Sequence, residues 1–149
     1  MFSHQLQQIV QRDVRTGSQF LGVYAADELP ERMPPQTMAI VNCCNRYKPG
    51  GHWLALFQNS NETLEIFDSF GLNPNVYNLR DKLPLSSVIA YSAKQLQSID
   101  STVCGQYCLY YCYKKARGSA LSDIVSIFSE DYYNNDDYVY YTVLRLFNL

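Results

Sequence analysis

Two histidines and five cysteines are the residues of this chain best suited to nucleophilic chemistry. His4 falls in an N-terminal stretch where Phe2, Leu6, Ile9 and Val10 recur at helical spacing, with Ser3 placed to cap it, so this imidazole is expected in solvent. His52 follows Gly50-Gly51 at the start of a β-favouring run, a strand end from which a side chain can face a cleft. Cys104 opens a helical stretch, where unpaired N–H groups and the helix dipole favour a thiolate. Cys108 and Cys112 lie one and two turns further in, where those N–H groups are already bonded, and Cys43 and Cys44 sit in an apolar run. A thiolate activated by an imidazole attacks carbonyl carbon, which is the chemistry a Cys104–His52 pair can support.

Such a base needs an orienting carboxylate. The runs His52 to Gln58 and Thr63 to Asp68 are separated by the polar residues Asn59, Ser60, Asn61 and Glu62, a turn of hairpin length. A hairpin centred on Ser60 puts His52 directly opposite Asp68, with Cβ atoms roughly 4.5 to 5.5 Å apart. Glu65, the competing acid, then faces Ala55 and points to the other side of the sheet. Attack on an amide also develops an oxyanion. The backbone N–H of Cys104 is one donor for it, and a side-chain amide from the preceding loop is the second, either Gln97, seven residues before Cys104, or Gln95.

The elements that must position these groups read as α+β. Met38 to Cys44 suits a buried strand, and Pro49-Gly50-Gly51 turns the chain into the next. The Pro-rich stretch from Leu29 to Pro35 interrupts regular structure, Val76 to Lys82 fits a short helix, and Ser87 to Tyr91 fits a further strand. A helix is expected from Ser101 or Thr102 as cap to about Arg117, stopped by Gly118. Leu121, Ile124, Val125 and Phe128 form a second helical stripe, and Asn135 or Asp136 can cap a last helix through Val139, Val143 and Leu146. The pattern implies a central, mostly antiparallel sheet packed by helices.

Composition narrows the function. At 149 residues, 47% hydrophobic and 17% charged, the chain is expected to form one domain, residues 1–149, with a buried core. A net charge of -2 and no basic run longer than Lys114-Lys115 give no footprint for nucleic acid. No run reaches the roughly 18 apolar residues of a membrane span, and no signal peptide is evident. An odd number of cysteines, three at helical spacing, argues for reduced thiols and an intracellular setting. Thiolates stacked along a helix diverge from tetrahedral geometry, so no metal or other cofactor is expected.

Several segments resemble adenain, the adenovirus maturation protease, in order and near-spacing: Phe20-Leu21-Gly22-Val23-Tyr24, Ala39-Ile40-Val41-Asn42, Gly51-His52-Trp53-Leu54-Ala55, Phe67-Asp68-Ser69-Phe70-Gly71 and Cys104-Gly105-Gln106-Tyr107-Cys108. The resemblance spans residues 1 to 117. Gly-His-Trp, then Phe-Asp-Ser-Phe-Gly, then Gln-x6-Cys-Gly is its specific part. More distantly the chain is similar to SUMO-deconjugating proteases. The resemblance implies a papain-like cysteine protease fold of adenain type, with His52 as base, Asp68 as acid, Gln97 as oxyanion residue and Cys104 as nucleophile. It further implies substrate contacts from Gly51 and Trp53, and cleavage of viral or capsid precursor polypeptides at glycine-containing sites. The expected protein is a monomer in the host nucleus, the cytoplasm or the virion interior.

The chain departs from the adenovirus enzymes in carrying Asp68 where they carry Glu, in its shorter tail, and in having no cysteine between Cys44 and Cys104 to anchor an activating peptide. Asp68 and the tail with Asn135-Asp136 look more like the proteases of Polinton or Maverick virus-like transposons. Two other functions use or lose the same residues: deconjugation of ubiquitin-like tails, and an interaction module with a decayed site.

Overall fold

Four consecutive apolar residues, Met38 to Val41, show no polar alternation because the strand they form is covered on both faces. The computed structural model describes residues 1–43 and 51–149. Its sheet runs in chain order: β1 (Phe20–Ala25), β2 (Met38–Asn42), β3 (Trp53–Gln58), β4 (Thr63–Phe67) and β5 (Val88–Tyr91). The central pairs β2–β3 and β3–β4 are antiparallel, whereas the outer pairs β1–β2 and β4–β5 are parallel.

Parallel neighbours require crossovers of about a dozen residues or more. Here they are 26–37, which holds the Pro-rich stretch, and 68–87. Both cross the same face, where Ala26, Met33 and Leu79 seal Leu54, Leu56, Leu64 and Ile66. The helices α1 (Ser3–Val10), α2 (Val14–Gln19), α3 (Cys104–Ala116), α4 (Leu121–Ser126) and α5 (Tyr132–Leu146) complete the chain. Against the other face, formed by Met38, Ile40, Ala55, Phe57 and Phe67, α1, α3, α4 and α5 contribute Leu6, Val10, Tyr107, Tyr111, Ile124 and Val139 among others. Truncating such a fully buried Leu or Ile to Ala costs about 2–5 kcal/mol. A central sheet packed by helices is therefore the architecture, with helices on one face and irregular crossovers on the other.

The β3–β4 hairpin differs from expectation in register. Ala55 pairs with Phe67 and Phe57 with Glu65, which moves β4 by two residues relative to a turn centred on Ser60. Ser60 Oγ accepts the N–H groups of Glu62 and Thr63 at 3.3 and 3.2 Å, and Asn59 N–H reaches the Thr63 carbonyl at 3.0 Å. The tip accordingly falls at Asn61. A two-residue shift leaves every side chain on its expected face, since strands repeat every two residues.

Helix ends differ too. Phe2, not Ser3, is the cap of α1, its N–H taken by the Gln5 side chain at 2.8 Å. Val103 precedes α3 with no side-chain cap, so neither Ser101 nor Thr102 serves. Asp131 caps α5 through Asn134 N–H, leaving Asn135 and Asp136 inside the helix for other work. The stop at Gly118 stands, in a left-handed conformation at φ +85°. Val76 to Lys82 does not form an α-helix; a short 3-10 turn, Pro74–Tyr77, takes up its first two residues. Strand β2 ends at Asn42. Cys44 and the Pro49-Gly50 part of the expected turn lie outside the described residues.

Candidate active site

His52 immediately precedes β3 and Asp68 immediately follows β4, so both leave the sheet at the same end. His52 Nε2 lies 2.6 Å from Asp68 Oδ1. In the observed register this contact is diagonal, not directly cross-strand. Asp68 is held by more than the imidazole: Phe70 N–H donates to Oδ1 at 2.9 Å, and Leu72 N–H and the Tyr77 hydroxyl donate to Oδ2 at 3.3 and 2.6 Å. The Phe70 ring stacks on the imidazole at 4.3 Å. Gly71, at φ +67°, lets this turn press against the next loop, because a Cβ there would fall 2.5 Å from the Lys94 carbonyl.

With Nε2 engaged by Asp68, Nδ1 is the ring nitrogen left for Cys104, whose sulfur acts on the imidazole. Cys104 is the first residue of α3, where the backbone N–H groups of Trp53 and Gly105 favour its thiolate. Burial disfavours both charged forms, but hydrogen bonding overrides it. The Asp68 and Cys104 hydrogen bonds raise the imidazole from 6.5 to about 9. Its hydrogen bond to Cys104, together with the Trp53 N–H, lowers the thiol below its usual 9.0. Asp68 is lowered as well, against burial, chiefly by His52 and Tyr77. All three shifts run in the direction that favours a charged Cys104–His52 pair beside an ionised Asp68. Cys108 and Cys112, buried deeper in α3, are pushed up by burial and stay neutral.

Gln97 is 1% exposed and is among the residues lining the same cleft as Cys104. Ser69 Oγ donates to its Oε1 at 2.6 Å, and its Nε2 donates to the carbonyl and hydroxyl of Ser101 at 3.1 Å each. Gln95, the alternative, turns its amide to the Gln97 carbonyl at 3.0 Å. Glu65 is on the opposite face from Asp68, bonded to the Tyr111 hydroxyl and to Lys115 Nζ at 3.1 Å. His4 is exposed and stacks on Phe2.

The cleft has a volume of about 500 Å³, and Gly51, His52, Trp53, Phe70, Gln97 and Cys104 are among the residues lining it. The N-terminal residues Met1 to Ser3 also line it, and Trp53 Nε1 donates to the Met1 carbonyl at 3.0 Å. Sequence reasoning missed this wall, along with Phe70, Tyr77 and Ser69. Ser69 and Phe70 adjoin Asp68 and could have been found by asking what fixes the carboxylate. Tyr77 arrives through the crossover, whose path no local pattern announces.

No protein-family model matches the sequence, and comparison with curated proteins finds no match. Among solved structures, the central domain of the uncharacterized Lpg1148 protein from Legionella pneumophila superposes with a TM-score of 0.55 at 18% identity, over 99% of this chain and 96% of that one. That likeness establishes a shared fold. The ASFV pS273R protease aligns with a TM-score of 0.44 at 19% identity, over 69% of this chain. The aligned part is 42% of that protease, so this chain spans less than half its length.

Proposed function

We propose that this chain is a cysteine peptidase in which Cys104 attacks, His52 transfers the proton, Asp68 orients His52 and Gln97 donates to the oxyanion. The observation that carries the reading is the imidazole held between a carboxylate at 2.6 Å and a thiol at a helix start, inside an open cleft. The thiolate adds to the carbonyl carbon of a peptide bond, and the negative charge moves to oxygen. Helix-start N–H groups and the Gln97 amide stabilise that oxygen, the amide exchanging a bond to Ser101 for one to the substrate. The imidazolium then protonates the departing amine as the C–N bond breaks, leaving a thioester on Cys104. Water, deprotonated by the now neutral His52, attacks the thioester and releases the acid, and the proton returns the pair to its starting state.

Substrate choice follows from the wall beside the nucleophile. Trp53 follows the base directly and lines the cleft, and an indole over the substrate backbone leaves little room for a Cβ next to the scissile bond. Glycine-containing sites in polypeptides, of the kind found in viral or capsid precursors, are the substrates this reading assigns, in keeping with the resemblance to adenain. Incubation with a peptide library tests it. Cleavage after small residues, lost by at least about 10⁴-fold in Cys104→Ala, is expected. An unchanged cleavage pattern in that variant would remove Cys104 from the mechanism.

A further inference from the structure

Asp136 is a buried carboxylate, 7% exposed, and no basic side chain among the described residues forms an ion pair with it. Burying a charge in that way is expensive unless hydrogen bonds compensate. Its partners are the Ser98 N–H, 3.3 and 3.4 Å from the two oxygens, and the Tyr107 hydroxyl at 2.8 Å. The neighbouring Asn135 donates through Nδ2 to the Leu96 carbonyl at 3.0 Å and to the Ser129 carbonyl at 2.9 Å.

Leu96 and Ser98 flank Gln97. The Leu96 carbonyl belongs to the peptide plane before Gln97 and the Ser98 N–H to the plane after it, so α5 holds both planes. The first plane is also fixed from its other edge, where Gln97 N–H donates to the Ser69 carbonyl at 3.0 Å. Fixing both planes fixes the backbone dihedrals of Gln97 and hence the origin of its side chain. Tyr107 lies three residues beyond Cys104 on α3, and its hydroxyl is also 3.2 Å from the Leu96 carbonyl. One carboxylate thus ties the Gln97 loop to the helix that carries the thiol.

We propose that Asn135 and Asp136 are positioning residues that set the distance between the Gln97 amide and Cys104, a role that rests on the peptidase reading above. Misplacing a catalytic group by about 1 Å can cost roughly 100-fold in rate. The test is a double-mutant cycle with Gln97→Ala on a cleaved peptide, read together with Cys104 alkylation and amide exchange at Gln97 and Ser98. Asp136→Ala is expected to lower kcat about 10- to 100-fold with KM nearly unchanged, to leave Cys104 alkylation at its normal rate and to speed exchange of both amides. In the Gln97→Ala background the same change should cost less than about threefold, because the group it positions is gone. Asp136→Asn, which keeps an acceptor for Ser98 N–H, should recover part of the rate. If Asp136→Ala does not fold, Tyr107→Phe carries the cycle, since it removes one hydroxyl and leaves the ring in the core. Equal losses in both backgrounds, normal turnover, or a parallel fall in Cys104 alkylation would overturn the positioning role while the peptidase reading stands. A wild type that alkylates at Cys104 yet cleaves no peptide would bring down both.

Discussion

Two carboxylates, Glu65 within β4 and Asp68 just after it, face opposite sides of the sheet, and their pairings have opposite outcomes. At the sheet end, Asp68 holds His52, which acts on Cys104, the first residue of the helix, beside a cleft. On the other face, Glu65 meets Tyr111 and Lys115 near the helix end, where the Lys115 ammonium also lies 4.4 Å from the Phe57 ring centroid. Both pairings join an acid to a nitrogen base beside cysteines of α3. Only the first lies at a helix N-terminus, opens on a cleft and has an imidazole as its base. The second is a sealed bolt between sheet and helix, and the nearby Cys108 and Cys112 are held neutral by burial. Position along the helix, not the inventory of residues, separates chemistry from architecture.

Exchanging each acid for its amide tests that separation. Asp68→Asn is expected to lower kcat by about 10²- to 10⁴-fold with the fold intact, because the imidazole loses the charge that orients it. Glu65→Gln should leave turnover within about twofold but destabilise the protein by about 3 kcal/mol, since Lys115 would stay buried without its counter-charge. Steady-state kinetics and chemical denaturation of both variants check the pair. Loss of rate at Glu65 would erase the distinction between the two meetings.

Trp53→Ala bears on the open site alone. It should reduce the preference for glycine over alanine before the cut by about 10-fold, as measured by kcat/KM on matched peptides, because one methyl against a packed wall is worth about 1–3 kcal/mol. A preference that stays the same would place the specificity wall elsewhere. Smaller still is the expected effect of Cys112→Ala: about 1 kcal/mol of stability and no change in turnover, read by thermal unfolding and peptide cleavage.

The site was legible in the sequence where its parts are local. Cys104 at a helix start, His52 after glycine at a strand start, and the face that separates Asp68 from Glu65 all follow from periodicities of 3.6 and 2. The face argument survived a register that was off by two residues, because only an odd shift would have exchanged the faces. What stayed hidden is carried by long-range packing. The outer strand pairings are parallel because two crossovers cover the face opposite the helices, and neither crossover forms an α-helix; the one expected at Val76 to Lys82 is only a 3-10 turn at Pro74–Tyr77. Strand β1 and α2 each carry a glycine, Gly22 and Gly17, that interrupts the local pattern, although Asp13 caps α2 through Thr16 N–H. Asn135 and Asp136 look like a helix cap in sequence, and only the folded chain brings them beside the Gln97 loop.

Peptidase chemistry at this site requires Cys104 and His52 to form a charged pair. His52 lies at about 9 in place of 6.5, so the stability its charged form contributes is complete below pH 6.5 and is lost as the pH rises through about 9. Turnover should fall over the same upper range, as the proton needed by the departing amine is lost. The most direct measurement is the alkylation rate of each cysteine in the native protein, followed by mass spectrometry across pH 5 to 10. Cys104 should react fastest and keep its rate well below pH 9, where an ordinary thiol is protonated. A Cys104 rate that rises only as the pH approaches 9, or faster labelling of Cys43 or Cys108, would contradict the account.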